Sequence, residues 1–274
     1  MSTTPRTITS EPVWSEYLRA AAPIARAAGD LLALNLGGVR TVELKGAINL
    51  VTEMDRRAEE LIVSALAKEF PDFAIVAEEG SHKTAKSGFA WYVDPLDGTT
   101  NYAHGLPVFC VSMGLWKGEQ PICGIVHHPM GNEVFTAVSG AGAYLGAQRL
   151  AVSGTSQLGH AILATGFPYD IRDSELDNLD HFARFAKSAR AIRRMGAAAL
   201  DLAWTAAGRF DGFWEMKLSA WDFAAATILC LEAGALITDF DGNPFTLARG
   251  QVVAANPILH PQLLAIIRQG RYPN

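Results

Sequence analysis

Two aspartates three residues apart, Asp94 and Asp97, end the apolar run in Trp91-Tyr92-Val93-Asp94-Pro95-Leu96-Asp97-Gly98-Thr99-Thr100-Asn101-Tyr102. Asp94-Pro95 is expected to close a strand, because proline disfavours helix for the residue before it and donates no ladder hydrogen bond. Leu96 then offers only its backbone carbonyl, and both carboxylates can converge on one point. Two carboxylates brought together repel unless a proton or a cation lies between them. Hard oxygen ligands of this kind suit Mg²⁺ or Mn²⁺. Gly98-Thr99-Thr100 can turn successive N–H groups toward an anion, particularly if a short helix starts there. A metal and an anion in one turn point to phosphate chemistry. The same residue types are ordinary turn formers, so an inert, solvated loop also accounts for the segment taken alone.

Four other acidic positions bear on that choice. Glu78, with Glu79 and Gly80 after it, follows an expected strand over 73–77; adjacent glutamates there read equally well as a solvated loop. Asp55 lies in the first turn of a helix opened by Thr52-x-x-Asp55, where a carboxylate is favoured by the helix dipole and needs no further role. Asp222 starts an apolar helix and could simply cap it. Glu215 ends the aromatic strand Phe213-Trp214-Glu215, where an unpaired buried charge is costly. Together these place acids at several strand and helix ends, where α/β sites are built. Hydrolysis of a phosphate dianion needs charge neutralisation more than a strong base, and a metal lowers the pKa of its water. His104, His127 and His128 are therefore read as structural or surface residues.

The elements that must position these groups follow from the rest of the chain. Its 274 residues suffice for one large domain or two modest ones with a substantial core. A hydrophobic share of 49% with 19% charged residues excludes a disordered chain. A net charge of −5, with only Arg190, Arg193 and Arg194 grouped, gives no basic stripe for nucleic acid. Cys110, Cys123 and Cys230 lack metal-ligand spacing and read as reduced, buried thiols of a cytoplasmic protein. No stretch approaches a membrane span. Residues 1–11 are polar, without the apolar region of a signal peptide, and are expected to form a disordered tail.

Helices are expected over 12–36 and 52–70 and a short strand over 39–44. Strands follow over 73–77, 89–93, 108–116, 121–127 and 133–138, an α+β half spanning 12–150. From 151 to 274 the pattern alternates as an α/β half: strands at 161–165, 191–192, 211–214 and 235–238, helices at 175–187, 196–207 and 221–233. The N-terminal half would carry most of the metal ligands, and the C-terminal half Asp222 and the substrate contacts.

The segment Asp94 to Asn101 resembles the signature D-P-[IL]-D-G-T-[TS]-N of the inositol monophosphatase family, within the lithium-sensitive, Mg²⁺-dependent phosphatases that include fructose bisphosphatases. W-D-x-A-A at Trp221 to Ala225, E-E-G at Glu78 to Gly80 and a K…L-V-T-x-x-D segment from Lys45 to Asp55 stand in the family's order. The resemblance implies a two-part layered αβαβα sandwich of the sugar-phosphatase type. It implies a first metal held by Glu78, Asp94 and the Leu96 carbonyl, a second by Asp94, Asp97 and Asp222, and a looser third helped by Glu78. Mn²⁺ could replace Mg²⁺, and Li⁺ is expected to inhibit. Thr99, paired with Asp55, would orient or deprotonate the attacking water, with Lys45 in the segment covering the metals. Gly98 and Thr99 amides would receive the phosphate. Glu215, Asp97, Asp222 and the backbone of Gly196, Ala197 and Ala198 would meet the substrate, and the protein is expected to be a homodimer.

Thr100-Asn101-Tyr102 resembles the inositol monophosphatase branch, implying inositol 1-phosphate or a similar small polyol phosphate. The alternatives are another phosphomonoester (histidinol phosphate, fructose 1,6-bisphosphate, NADP) or a broad enzyme. A regulatory protein that had lost turnover would be marked by a missing residue at Asp94, Asp97, Asp222 or Thr99, and all four are present.

Overall fold

A computed structural model describes residues 11–38, 42–44 and 50–269. Lys45 and all but the last residue of the expected tail lie outside the described residues; Glu11 already belongs to the first helix. In chain order the elements are α1 (Glu11–Asn35), β1 (Val42–Leu44), β2 (Leu50–Thr52), α2 (Glu53–Glu69), β3 (Ala74–Ala77), β4 (His82–Lys83), β5 (Phe89–Asp97) and a short α3 (Thr99–Ala103). Then come β6 (Cys110–Lys117), β7 (Gln120–His128), β8 (Glu133–Val138), β9 (Gly142–Leu145), β10 (Gln148–Arg149), β11 (Ile162–Thr165), α4 (Leu179–Ser188) and β12 (Ala191–Arg193). The chain finishes with α5 (Ala198–Ala206), β13 (Gly212–Glu215), α6 (Ala220–Glu232), β14 (Leu236–Thr238), β15 (Val252–Ala255) and α7 (His260–Ile267).

Eight strands form one sheet in the order β10-β9-β8-β7-β6-β5-β3-β4, and five form another in the order β12-β11-β13-β15-β14. In the larger sheet only β3 and β5 run parallel; in the smaller, β11 runs parallel to both β12 and β13 while β15 is antiparallel to its neighbours. Three apolar clusters separate five layers, helix, sheet, helix, sheet, helix, as the αβαβα expectation requires. The outer cluster packs Ala21, Ala25, Ala28 and Leu32 of α1 and Ile62 and Leu66 of α2 on Trp91, Val93 and Met113. The central one sets α5 and α6 between the sheets, and the third packs α4 and α7 on Trp214, Val253 and Ala255. Strand alternation divides the clusters: Phe213 faces the central helices and Trp214 the outer pair.

Helix α6 is buried on every side from Phe223 to Cys230. Its close seat on the large sheet depends on two glycines. A Cβ at Gly114 would stand 2.7 Å from the Ala225 nitrogen, and one at Gly124 would stand 2.4 Å from the Ala225 oxygen. The small pair Ala224-Ala225 on the helix meets these glycines, which lets the helix backbone touch the sheet and fixes where Asp222 begins it.

Two sequence expectations are corrected here. Strand β5 does not close at Asp94-Pro95 but continues to Asp97, pairing Asp94 with Ser112 and Asp97 with Cys110. The partner strand has one residue fewer in that interval, so Pro95 and Leu96 lie in a bulge, where proline's missing N–H costs no ladder bond. Helix α4 starts at Leu179 rather than 175, behind Asn178, whose φ of 70° is left-handed. The final strand β15 and helix α7 carry no turn signal or long periodicity and were not anticipated.

Gly124→Ala is expected to lower stability by about 1–3 kcal/mol through overpacking against α6. Denaturant unfolding of the variant against the wild-type protein measures this.

Candidate active site

A cavity of about 270 Å³ opens where β3, β5, β11 and β13 end and α3, α5 and α6 begin, and Glu78, Asp94, Leu96, Asp97, Thr99, Glu215 and Asp222 all line it. Residues i and i+3 of a regular strand point to opposite faces. The bulge between Asp94 and Asp97 adds the residue that brings both to the same cavity.

Each acid is also tied into the fold. Leu96 N–H donates to Asp94 Oδ1 at 2.9 Å. The two Asp97 oxygens accept the Ala198 and Ala199 N–H groups at 3.1 and 2.7 Å, and the Cys110 thiol lies 3.5 Å from Oδ2. Helix α5 has no side-chain cap of its own at Ala197, so Asp97, about a hundred residues earlier, supplies it. Asp222 accepts the Ser219 N–H at 2.7 Å and so is also the cap foreseen for α6. Asp55 receives the Thr52 N–H and hydroxyl on Oδ2 at 2.8 and 2.5 Å, and the Thr99 hydroxyl on Oδ1 at 2.8 Å. The capping box and the threonine pairing are therefore both present on one carboxylate. Thr99 Oγ1 also lies 3.1 Å from the Leu96 carbonyl.

Gly98 precedes α3 with a φ of 96°, and a Cβ there would stand 2.9 Å from the Val108 carbonyl, so a larger residue would push the turn out of place. Asn101 Nδ2 donates to the carbonyls of Val108 and Met195, at 2.7 and 2.8 Å, tying this turn to the loop before α5. Of the 196–198 backbone expected to meet the substrate, the Ala198 N–H is already committed to Asp97.

Burial is the main cause of the site's electrostatics. It raises the Asp94 carboxyl well above its usual range, and the charges of Glu78, Asp97 and Asp222 raise it further. Burial and Glu78 act likewise on Asp222. Asp97 is lifted by burial to about 6, against the pull of the α5 amides. Glu215 is lifted to about 8 by burial and by Asp97, opposed by Arg194. Asp55 is raised by burial despite its hydrogen bonds.

Among the described residues no three His, Cys, Asp or Glu side chains are already arranged as a metal cage. The donors nonetheless fit a hard divalent cation: they are all oxygen, and the repulsion that raises Asp94 and Asp222 is what a cation would relieve. His127 and His128 instead are buried and bond the Ala25 and Phe109 carbonyls, and all three cysteines are free and buried, as read from the sequence.

Sequence reasoning missed Glu59, which accepts the Glu79 and Ser81 N–H groups at 2.7 and 3.0 Å and so fixes the turn that carries Glu78. Its signal was its place four residues after Asp55, on the buried face with Ala58 and Ile62. Asp201 and Arg194 on the cavity wall were missed too, although an acid alone in the apolar α5 stretch is a readable anomaly. So were Phe167, Pro168 and Tyr169, whose loop is held by Lys217 bonds to Asp170 and Ser174 at 2.6 and 2.7 Å.

Comparison with known proteins agrees with this geometry. A sequence model of the inositol monophosphatase family matches residues 13–272. The Nus factor SuhB of Pseudomonas aeruginosa is 44% identical over 94% of this chain and 96% of its own. The inositol-1-monophosphatase of Mesorhizobium japonicum is 38% identical over 93% of this chain and 97% of its own. The structure of an inositol monophosphatase from Anabaena (Nostoc) sp. PCC 7120 superposes with a TM-score of 0.85 at 37% identity, covering 93% of this chain and 96% of that one. With its acidic cavity at the junction of two sheets and a match along almost its whole length, the chain belongs to the inositol monophosphatase family.

Proposed function

We propose that the protein is a divalent-cation-dependent phosphomonoesterase acting on inositol 1-phosphate or a similar small polyol phosphate. The observation that carries this reading is that Glu78, Asp94, Asp97 and Asp222 line one cavity with a threonine hydrogen-bonded to a buried aspartate. Residues 12–150 supply Glu78, Asp94, Leu96 and Asp97 to the cations, and residues 151–274 supply Asp222 and the alcohol contacts. Mg²⁺ or Mn²⁺, two or three per site, would offset the ester's charge and acidify a water. Li⁺ is expected to compete there, and the active form is expected to be a homodimer.

This chain's own groups do the rest. Thr99 donates its hydroxyl proton to Asp55, which leaves its oxygen to accept a hydrogen bond from the attacking water. The raised pKa of Asp55 makes it a better proton acceptor than an exposed aspartate. The Gly98 and Thr99 amides receive phosphate oxygens at the start of α3. Asp97, Glu215 and the Gly196 and Ala197 backbone meet the alcohol. A cavity of about 270 Å³ takes a six-carbon ester, whereas most of a dinucleotide such as NADP would lie outside it.

Phosphate release from inositol 1-phosphate, fructose 1,6-bisphosphate, histidinol phosphate, NADP and adenosine 3′,5′-bisphosphate, with Mg²⁺ and with EDTA, tests the reading. Metal-dependent release with one ester far ahead supports it, and a flat profile means a broad phosphatase. A regulatory protein without turnover is the second reading, favoured by the 44% identity to a relative named Nus factor SuhB; no release from any ester by folded, metal-binding protein would favour that one instead.

Thr99→Ala is expected to lower kcat by about 10²–10⁴-fold with little change in KM, the range of a lost general acid–base group. Steady-state kinetics at saturating Mg²⁺ measures it. Asp97→Asn is expected to abolish turnover and also to lower stability by about 1–3 kcal/mol, because an amide cannot accept both α5 N–H groups. Parallel kinetics and unfolding curves separate the two effects.

The Glu215 pKa sets a pH dependence. Its folded value, about 8, lies above the ordinary 4.5, so the stability it contributes is present below 4.5 and lost as pH rises through 8. In EDTA the Tm of the wild-type protein is expected to fall relative to that of Glu215→Gln across this interval. Thermal melts of both proteins between those pH values check the sign.

A further inference from the structure

Asp201 lines the cavity but has no part in the scheme above. It lies on α5, just beyond the two amides that Asp97 takes, among the buried apolar residues Ala199, Leu200, Leu202 and Ala203. Only 1% of it is exposed, and its Oδ1 meets no hydrogen-bond partner. A buried carboxylate oxygen without a partner is costly, and alanine or leucine would serve the packing better. The Met195 N–H supports the carboxylate, and Oδ1 is the atom left without a role in the fold.

Its surroundings supply one. Glu215 and Arg194 line the same cavity, close enough for their charges to act on Asp201. Gly166 makes room for Glu215, since a Cβ there would stand 2.1 Å from Glu215 Oε1. Gly196 likewise leaves the Arg194 guanidinium space, with a Cβ 3.2 Å from Nη1. Two carboxyl groups and a guanidinium thus form a second polar cluster on the wall, made of acceptors and donors rather than a cation cage.

We propose that Asp201, together with Glu215, is a specificity-determining residue that accepts hydrogen bonds from neighbouring hydroxyls of the alcohol portion, so that the site selects esters of polyols over esters of bare alcohols. This rests on the phosphomonoesterase reading and deepens it. A site built to bond substrate hydroxyls leaves its own buried polar groups unpaired when they are missing, which is the strongest form of discrimination available to a small pocket. The role belongs to binding: Asp201 touches no reacting atom.

The experiment compares inositol 1-phosphate with cyclohexyl phosphate, which has the same ring without hydroxyls, for wild type, Asp201→Asn and Asp201→Ala at saturating Mg²⁺. The expected result is a fall of about 10- to 100-fold in kcat/KM for inositol 1-phosphate, carried mainly by KM, the size of one charged hydrogen bond. Cyclohexyl phosphate should change little, and the Mg²⁺ concentration for half-activity should stay at the wild-type value. Asp201→Asn keeps the shape of the side chain, so it decides the question if Asp201→Ala does not fold. Variants that keep the wild-type preference overturn the assignment, and so does an equal loss on both esters, which would place Asp201 with the shared phosphate chemistry. Wild type that turns over both esters alike removes the subsite and leaves the phosphatase reading standing. Wild type that releases phosphate from neither ester removes both.

Discussion

The Asp97 carboxylate, held by two amides at the start of α5, is the interaction on which the site depends. A helix start leaves unpaired N–H groups and a partial positive charge, and α5 has no side chain of its own to meet them. An acid from the large sheet fills that need. The same contact joins the two sheets' loops and aims the carboxylate at the cavity, so docking and site assembly are one event. Asn101 strengthens it by bonding the Met195 carbonyl just before the helix.

The acids around Asp97 are crowded, and the structure keeps them crowded by rigid means. Asp94 and Asp97 face one way because of a bulge, Asp55 is clamped by three donors, and Asp222 begins a helix that the glycines of the large sheet hold at backbone contact. Left alone, such groups would move apart or bind protons. Packing prevents the first, and burial together with the neighbouring charges pushes the Asp94 and Asp222 carboxyls above their usual range. The free energy stored in that repulsion is available to whatever cation enters.

Much of this was legible in the chain. The Thr52-x-x-Asp55 pattern announced both a helix and its cap, and Glu133 to Val138 was read as the strand it is. Composition and order of motifs pointed to two different halves. What escaped reading was what depends on distance along the chain. The bulge at Pro95 is defined by a partner strand, not by its own residues. The clasp of Glu59 on the turn after β3 joins positions about twenty residues apart, and that of Asp97 on α5 about a hundred. Antiparallel β15 is short and apolar, with a ladder to β13 that no local period reveals.

The capping roles of Asp55, Asp97 and Asp222 bear on how such chains evolve. Each begins or secures a helix as well as lining or supporting the cavity. Selection for folding alone would preserve them, even in a lineage that no longer used them for turnover. An intact acidic set is therefore a mark of ancestry shared by working and retired members alike. The informative losses would fall on Thr99, whose hydroxyl caps no helix, and on Asp201, whose Oδ1 finds no partner in the fold.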